Sequence, residues 1–383
     1  ELSGITKDTP QPAGGEIVKD PVTGEPTGRL NERATRLLSR ARPRPTLSEE
    51  ESRARIVETW PEVEKRLLSW GLTTILEASV GTLSLLAYQD LLAQGRLKIR
   101  AGLRLSGASV IENLRNQGLR TPFEYSNKLR VIGIKRLVDG SMGTRTAALN
   151  EPYWNEPENL GILTMTQEEI TKDMVEAHEA GIRVYTHAIG DRAIDLVLNA
   201  VEEALKRKPM VDHRHTIEHA GVCGPKQLER MKHLGVLASA SIGFCYIIGN
   251  RHTIALGPES KRLCYYYPMR SFKEYGIVAG GNSDSIGPNW PMYNIYGMVT
   301  RKAKTGEELC TEQGISVMDA IRAYTLNGAY LEGMEDRKGS LEPGKLADMV
   351  ILDRDILTCD PEELKDFKVL TTIIGGEIVY PRE

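Results

Sequence analysis

The sequence predicts an α/β fold: a (β/α)8 TIM-type barrel with part of a small β unit attached. Three observations carry that expectation. Short β-branched or apolar runs alternate with amphipathic stretches between residues 46 and 333, and such alternation builds a parallel sheet with helices outside it. Chemically unusual residues stand at the C-terminal ends of the runs, where barrels of this kind keep their chemistry. No G-x-G-x-x-G follows the first run, so the competing doubly wound sheet lacks its dinucleotide fingerprint.

Taken in order, residues 1–45 are rich in Pro and Gly ("TPQPAGGEIVKDPVTGEPTG", then "ARPRP") and read as loop with a short hairpin. "LSEEESRARIVETWPEVEKRLLSWG" reads as a helix, with Ser48 and Glu51 spaced as a capping box. Ile56, Trp60, Val63 and Leu67 supply its apolar face, and Pro61 is its one blemish. The strand runs are "LTTILEA" (72–78), "LKIRAGL" (97–103), "VIGIKRL" (131–137), "IRVYTHA" (182–188), "HTIEHAG" (215–221), "GVLASAS" (235–241) and "IVAGGNS" (277–283). "TQEEITKDMVEAHEAG", with a Thr166/Glu169 capping box, and "DRAIDLVLNAVEEALKR" are helices between them. "SVMDAIRAYTLNGAYL" reads as a closing helix, and residues 334–383 read as strands and turns of a small β unit packed beside the barrel. The count is one strand short of a closed barrel, and the first residue is Glu1. The expectation is that the chain begins downstream of the barrel's first strand and leaves two bare sheet edges.

The 383 residues are 40% apolar and 26% charged, a soluble globular composition able to bury a large core. A net charge of −3 gives no basic surface for nucleic acid. The most apolar stretch, "GVLASASIGFCYIIG", is too short and too rich in Gly and Ser to span a bilayer. Five scattered cysteines do not form a disulfide framework, so a reducing cytoplasm is the expected location.

Three of the seven histidines fall in "HRHTIEHAG", and His215 to His219 spell H-x-x-E-H, an inverted zinc-protease signature. On a helix the two histidines would share a face about 6 Å apart and could hold one ion. On a strand they would stand roughly 13 Å apart and could not. Pro209 before the segment, "AGVCGP" after it, and the β-branched Thr216 and Ile217 favour a strand. His219 then stands at the strand's C-terminal end and His215 well below it.

The other strand ends repeat the theme. "VYTH" ends in His187, "AGGNSD" in Asp284, "VIGIK" in Lys135 and "TTILE" in Glu77. A single histidine or aspartate there is more often structural. Two imidazoles and a carboxylate at three strand ends can together hold a divalent metal with an open position. Lys135 in a buried strand must be paired or neutral. One reading pairs it with Asp139. The other makes it a neutral amine that takes up CO2 as a carbamate and bridges metals. Glu77 reads as a supporting residue.

At these residues the chain resembles the amidohydrolase superfamily, in its amidohydrolase-3 (YtcJ-like) group. The motifs are "GIKRLVDGSMGTRTAAL", "VYTHAIGDRAID", "RHTIEHAG", "GGNSD", "YTLNGAYLEG" and "KGSLEPGKLADMVILDRD". The segment "GITKDTPQPAGGEI…GEPTGRLNERA" resembles that group's insertion. The resemblance implies a barrel with a composite β-sandwich, one or two divalent ions (Zn2+ the expected metal), and hydrolysis of non-peptide C–N bonds in a small amide-type substrate. It implies Lys135 as a carbamylated bridging ligand, His187 and His219 as ligands of the second metal, and Asp284 as ligand and acid/base. Asp139, Arg145, Asp191 and Arg192 fall in loops that would shape the substrate pocket, or else are fixed there by ion pairs. The group's H-x-H pair on the first strand has no counterpart; "HRH" at 213–215 is the single literal match and precedes a later strand. The alternatives are a catalytically impaired or regulatory amidohydrolase-like protein, or an esterase, lactonase or deaminase on the same site. No nucleic-acid or membrane partner is expected, and self-association into a homo-oligomer stays open.

Overall fold

A computed structural model describes residues 3–40, 47–284 and 291–380; the "ARPRP" stretch lies outside them. The strands are β1 (Gly15–Lys19), β2 (Pro26–Glu32), β3 (Thr74–Val80), β4 (Arg100–Leu105), β5 (Phe123–Glu124), β6 (Leu129–Leu137), β7 (Val184–Ala188), β8 (Thr216–His219), β9 (Leu237–Ala240), β10 (Ala279–Gly281), β11 (Met349–Leu352), β12 (Val369–Ile374) and β13 (Glu377–Tyr380). The helices are α1 (Glu49–Ser69), α2 (Thr82–Ala93), α3 (Val110–Asn116), α4 (Gln167–Glu179), α5 (Asp191–Arg207), α6 (Pro225–Leu234), α7 (Gly243–Leu256), α8 (Met269–Glu274), α9 (Pro291–Thr300), α10 (Val317–Tyr324) and α11 (Leu326–Glu332).

The seven expected runs form one parallel sheet in the order β10-β9-β8-β7-β6-β4-β3, with β5 antiparallel against β6. This is a TIM-type barrel sheet, strands inside and helices outside. β4 is buried throughout, whereas β3, at the sheet's end, is half-buried along most of its length. Residues 216–219 are strand and His215 lies in extended chain just before it, not helix, which removes the inverted-protease reading. β1 and β2 form the expected hairpin. It rests on the loop after β6: Arg29 donates to Thr144 O at 2.8 Å, and Thr146 Oγ1 donates to the Glu32 carboxylate at 2.6 Å. β11, β12 and β13 make an antiparallel sheet tied to the barrel by a buried Arg100–Asp348 ion pair at 2.6 Å.

Several expectations need correction. The α1 capping box is present and Pro61 lies inside the helix, but the buried face is Val57, Trp60, Glu64 and Leu68; Val63 is half exposed. The cause is Glu64, whose carboxylate turns inward to accept the Lys98 and Ile99 amides at 2.8 and 2.9 Å and rotates the helix about its axis. The closing helix breaks into α10 and α11 at Thr325, whose backbone leaves the helical region (φ −119°, ψ −86°). Its hydroxyl bonds back to Ile321 O at 2.8 Å, a contact that bends helices. The stretch after β9, which the sequence pattern assigns to no element, is α7. The cysteines do pair: Cys264 is bonded to Cys310, their Cα atoms 5.1 Å apart. Cysteine spacing therefore gives no argument for a reducing compartment. No helix among the described residues is long and apolar enough to cross a membrane.

His213 and His215 belong to the foot of the barrel, with His178 of α4. His178 Nε2–H donates to Lys208 O at 2.7 Å, so its Nδ1 accepts from His215 Nε2–H at 2.9 Å. His215 Nδ1 in turn accepts the Val184 amide at 3.1 Å. His213 Nε2–H donates to Leu234 O at 2.8 Å, and its Nδ1 accepts the His215 amide at 2.9 Å. All six ring nitrogens are used, and the only consistent pattern has three neutral rings. Burial is the first cause that holds His213 below the usual histidine value of 6.5 and His215 well below it.

A histidine with a depressed folded pKa stabilises fully above the unfolded value near 6.5 and loses that contribution as pH falls below it. Unfolding free energy should drop below pH 6.5 by up to about 1.4 kcal/mol per histidine per pH unit. In His215→Asn the protein should be less stable at pH 8 but its acid slope shallower; an unchanged slope would remove the network from the cause. For the cysteines, thiol titration in denaturant without reductant should count the three free residues, Cys223, Cys245 and Cys359, and with reductant all five. Five thiols without reductant would refute the bridge.

Candidate active site

The C-terminal ends of β6, β7 and β8 carry Lys135, His187 and His219. The rings of His187 and His219 touch, with centroids 4.4 Å apart. Consecutive strand residues normally face opposite ways. Here β8 ends in a left-handed turn, φ 71° at His219 and 48° at Ala220, so that both Glu218 and His219 serve the site. Asp284 follows β10, also with positive φ (52°). Non-glycine residues cluster in this region at functional sites.

Each rim histidine has one nitrogen committed and one remaining. His187 Nε2–H donates to Gly140 O at 2.9 Å, leaving Nδ1 as the lone-pair atom. His219 is fixed by a relay. The Asn282 amide donates to Ser239 O and Oγ at 2.8 and 2.9 Å, which orients its Oδ1 as acceptor. Ser241 Oγ–H donates to that Oδ1 at 2.7 Å, so Ser241 Oγ accepts from His219 Nδ1–H at 2.7 Å. His219 Nε2 keeps its lone pair. Burial is the main reason both rings stay neutral: His187 is lowered to about 4 and His219 well below its ordinary value, with the nearby Lys135 adding to both.

Lys135 is buried, and its nearest carboxylate is Glu218, with Nζ to Oε2 3.6 Å, not Asp139. Desolvation pulls the lysine down, and Arg104 adds to it against the pull of Glu218 and Asp284. Burial pushes Asp284 up to about 6, opposed by Lys135 and Arg104. The four expected ligands share one field at one end of the sheet, but they do not form a tight apo cluster. Among the described residues, only Cys264, Cys310 and Glu312 bring three metal-capable atoms within 4.8 Å of one another, and two of those are the bonded sulfurs.

The other singled-out residues hold the β6–α4 loop. Asp139 is buried and accepts the amides of Ala148, Ile189 and Gly190 at 2.9, 3.0 and 2.8 Å; even so, burial lifts it to about 7. Asp191 accepts the amides of Asn150 and Arg192. Arg192 donates to Leu160 O and Gly161 O. Arg145 is paired with Glu156. These contacts fix the loop that supplies Gly140 O to His187. Glu77 lies against the Tyr88 hydroxyl and near Arg104.

Sequence reading missed Glu218, Arg104, Ser241 and Asn282. Arg104 was findable, because it breaks an apolar strand just as Lys135 does. Glu218 stood inside the motif whose histidines drew attention. Ser241 and Asn282 have no signal in a single sequence.

The relay predicts that histidine 15N NMR at pH 7.5 finds His219 as the Nδ1–H tautomer, and that Ser241→Ala converts it to a mixture. A pure Nε2–H form in the unmodified protein would contradict the relay.

The amidohydrolase family model matches residues 1–380. The chain is 29% identical to YtcJ of Bacillus subtilis over 100% of its own length and 71% of that protein. It is 30% identical to the N-substituted formamide deformylase of Arthrobacter pascens, covering 100% of this chain and 70% of that one. Among solved structures, it is similar to an uncharacterized metal-dependent hydrolase of Pyrococcus horikoshii, with a TM-score of 0.73 and 28% identity over 90% of this chain and 68% of that chain.

Proposed function

Since the chain belongs to the amidohydrolase family, we propose that its site hydrolyses a non-peptide C–N bond in a small amide-type substrate with a divalent metal ion. One observation carries the reading: the two touching rim histidines, His187 and His219, each commit one nitrogen to the protein (His187 to Gly140 O, with Asp139 Oδ1 at 3.4 Å, and His219 to Ser241 Oγ) and keep the other lone pair. Fixing the outer nitrogen of each ring in this way is how proteins prepare histidine ligands. The likeness to an N-substituted formamide deformylase points to N-formyl and related N-acyl amines as substrates to try first.

His187 Nδ1 and His219 Nε2 would hold the ion, with Lys135, as its carbamate, and Asp284 beside them. Two imidazoles with oxygen donors suit Zn2+. When bound, the ion polarises the scissile carbonyl and acidifies a water molecule. Asp284 takes the proton of the attacking water and passes it to the departing amine nitrogen. Partial burial raises the proton affinity of its carboxyl, which suits a group that must accept a proton and then release it. The loop fixed by Asp139 and Arg192 holds Gly140 O, and through it the ring of His187, still during the reaction.

The test is to load the protein with Zn2+ and screen N-formyl, N-acyl and cyclic amides beside esters and lactones. Amide turnover should disappear on chelation and in His219→Ala, and Asp284→Asn should lose roughly 10²-fold or more in kcat. Activity that survives exhaustive chelation, or is unchanged in His219→Ala, sinks the mechanism. Turnover of esters alone would replace the substrate class.

A further inference from the structure

Arg104 and Glu218 form a buried ion pair across the inside of the sheet. Arg104 rises from β4 at the level of Gly133, below Lys135, and Glu218 comes from β8 at the level of His187. The guanidinium donates to Glu218 Oε1, to Leu76 O, and at 3.5 Å to Glu77 O. It lies over the Tyr185 ring, 5.3 Å from the centroid. Gly133 makes room for that ring: a Cβ there would stand 2.7 Å from a Tyr185 ring carbon. Both side chains of the pair are only 6% exposed. The second oxygen of Glu218 faces Lys135 Nζ at 3.6 Å.

We propose that Arg104 is a positioning residue for Lys135: by gripping one oxygen of Glu218 and two carbonyls of β3, it fixes the other oxygen, and with it the lysine amine, at the height of the His187–His219 rim. The inference rests on the metal reading of that rim. A carboxylate held by a guanidinium on one oxygen and facing the lysine amine with the other is fixed from both sides. Without Arg104, the whole charge of Glu218 would fall on Lys135 and draw its amine into a two-membered pair. A buried carboxylate stripped of one partner is also strongly unfavourable. Removing Glu218 as well takes away both the pull and the unpaired charge. Lysine at position 104 would restore the charge but not the planar fork that reaches an acid and two carbonyls together.

The experiment uses the full chain as unmodified protein and as Arg104→Met, Arg104→Lys, Glu218→Gln and the Arg104→Met/Glu218→Gln double variant. Affinity for Co2+ is read by chelator competition and by its visible absorption, and thermal unfolding is followed alongside. Metal-free samples labelled with 13Cε-lysine report Lys135, assigned with Lys135→Arg. Arg104→Met should weaken Co2+ binding by about 10- to 100-fold, the scale for residues that orient ligands. Arg104→Lys should not recover it, and the double variant should recover most of it. In the metal-free spectra the Lys135 signal should move in Arg104→Met and return toward its original position in the double variant. A lowered melting temperature with unchanged Co2+ affinity and an unmoved Lys135 signal would reduce Arg104 to a structural strut and overturn the proposal. A double variant no better than Arg104→Met would also overturn it. If the unmodified protein binds no Co2+, the metal reading fails, and the Lys135 signal still decides whether Arg104 positions the amine. Should Arg104→Met not fold, Arg104→Lys is read in its place, and an unmoved Lys135 signal with unchanged Co2+ affinity there overturns the proposal.

Discussion

The interior of this fold is governed by the cost of keeping charge away from water. A lysine in the middle of a parallel strand is expensive unless a partner stands within reach or the group gives up its proton. The same constraint recurs down the sheet. Arg100 is paired with Asp348, Arg104 with Glu218, and Lys338 with Glu332 at 2.5 Å, all nearly inaccessible. Breaking a buried pair by removing one partner costs about 3–5 kcal/mol, so each pair fixes the relative position of the elements it joins. Arg100–Asp348 and the Thr372 hydroxyl on Leu68 O hold the C-terminal sheet against the barrel. Lys338–Glu332, with Lys338 donating to Thr74 Oγ1 at 2.8 Å, anchors the chain after α11 to β3.

The loop after β6 meets the constraint in another way. Asp139 is fully enclosed, and three backbone amides converge on its carboxylate. It thereby ties the loop to the start of α5 from inside, while Arg192 ties the same two elements from the other side through Leu160 O and Gly161 O. The hairpin of β1 and β2 presses on the outside of this loop through Arg29 and Glu32. The result is a rigid shelf beneath His187. The N-terminal hairpin, remote in sequence from every candidate ligand, therefore bears on the site through the loop it braces.

The parallel sheet was legible because buried strands are written as β-branched runs and the helices between them carry capping boxes at Ser48 and Thr166, both present in the structure. Lys135, His187 and His219 were legible because polar residues at the ends of such runs oppose the pattern around them. Registry was not legible. The face of α1 missed by one residue because a buried acid, Glu64, took an inward position that hydrophobic periodicity assigns to an apolar side chain. The Lys135 partner was sought along its own strand, at Asp139, and lies two strands away at Glu218. The Cys264–Cys310 bridge joins residues 46 apart, and spacing alone does not reveal such closure. Local pattern reports which face a residue takes; which residue it meets across the sheet depends on strand order and level.

Counting nitrogens separates the two sets of histidines that one short motif brings together. His213 and His215 stand at the foot of β8, and with His178 every ring nitrogen there is bonded to the protein. A cation could enter only by displacing bonds that hold α4, β7 and the end of α6. His219, four residues beyond His215, has one nitrogen bound by Ser241 and one left over, and its neighbour His187 is in the same condition. Burial depresses the basicity of both sets alike, so proton affinity does not tell them apart. What differs is the acceptor on the outer nitrogen and the presence or absence of a second one. A strand carries its two ends to different places, and the same residue type becomes a brace at one end and a candidate ligand at the other.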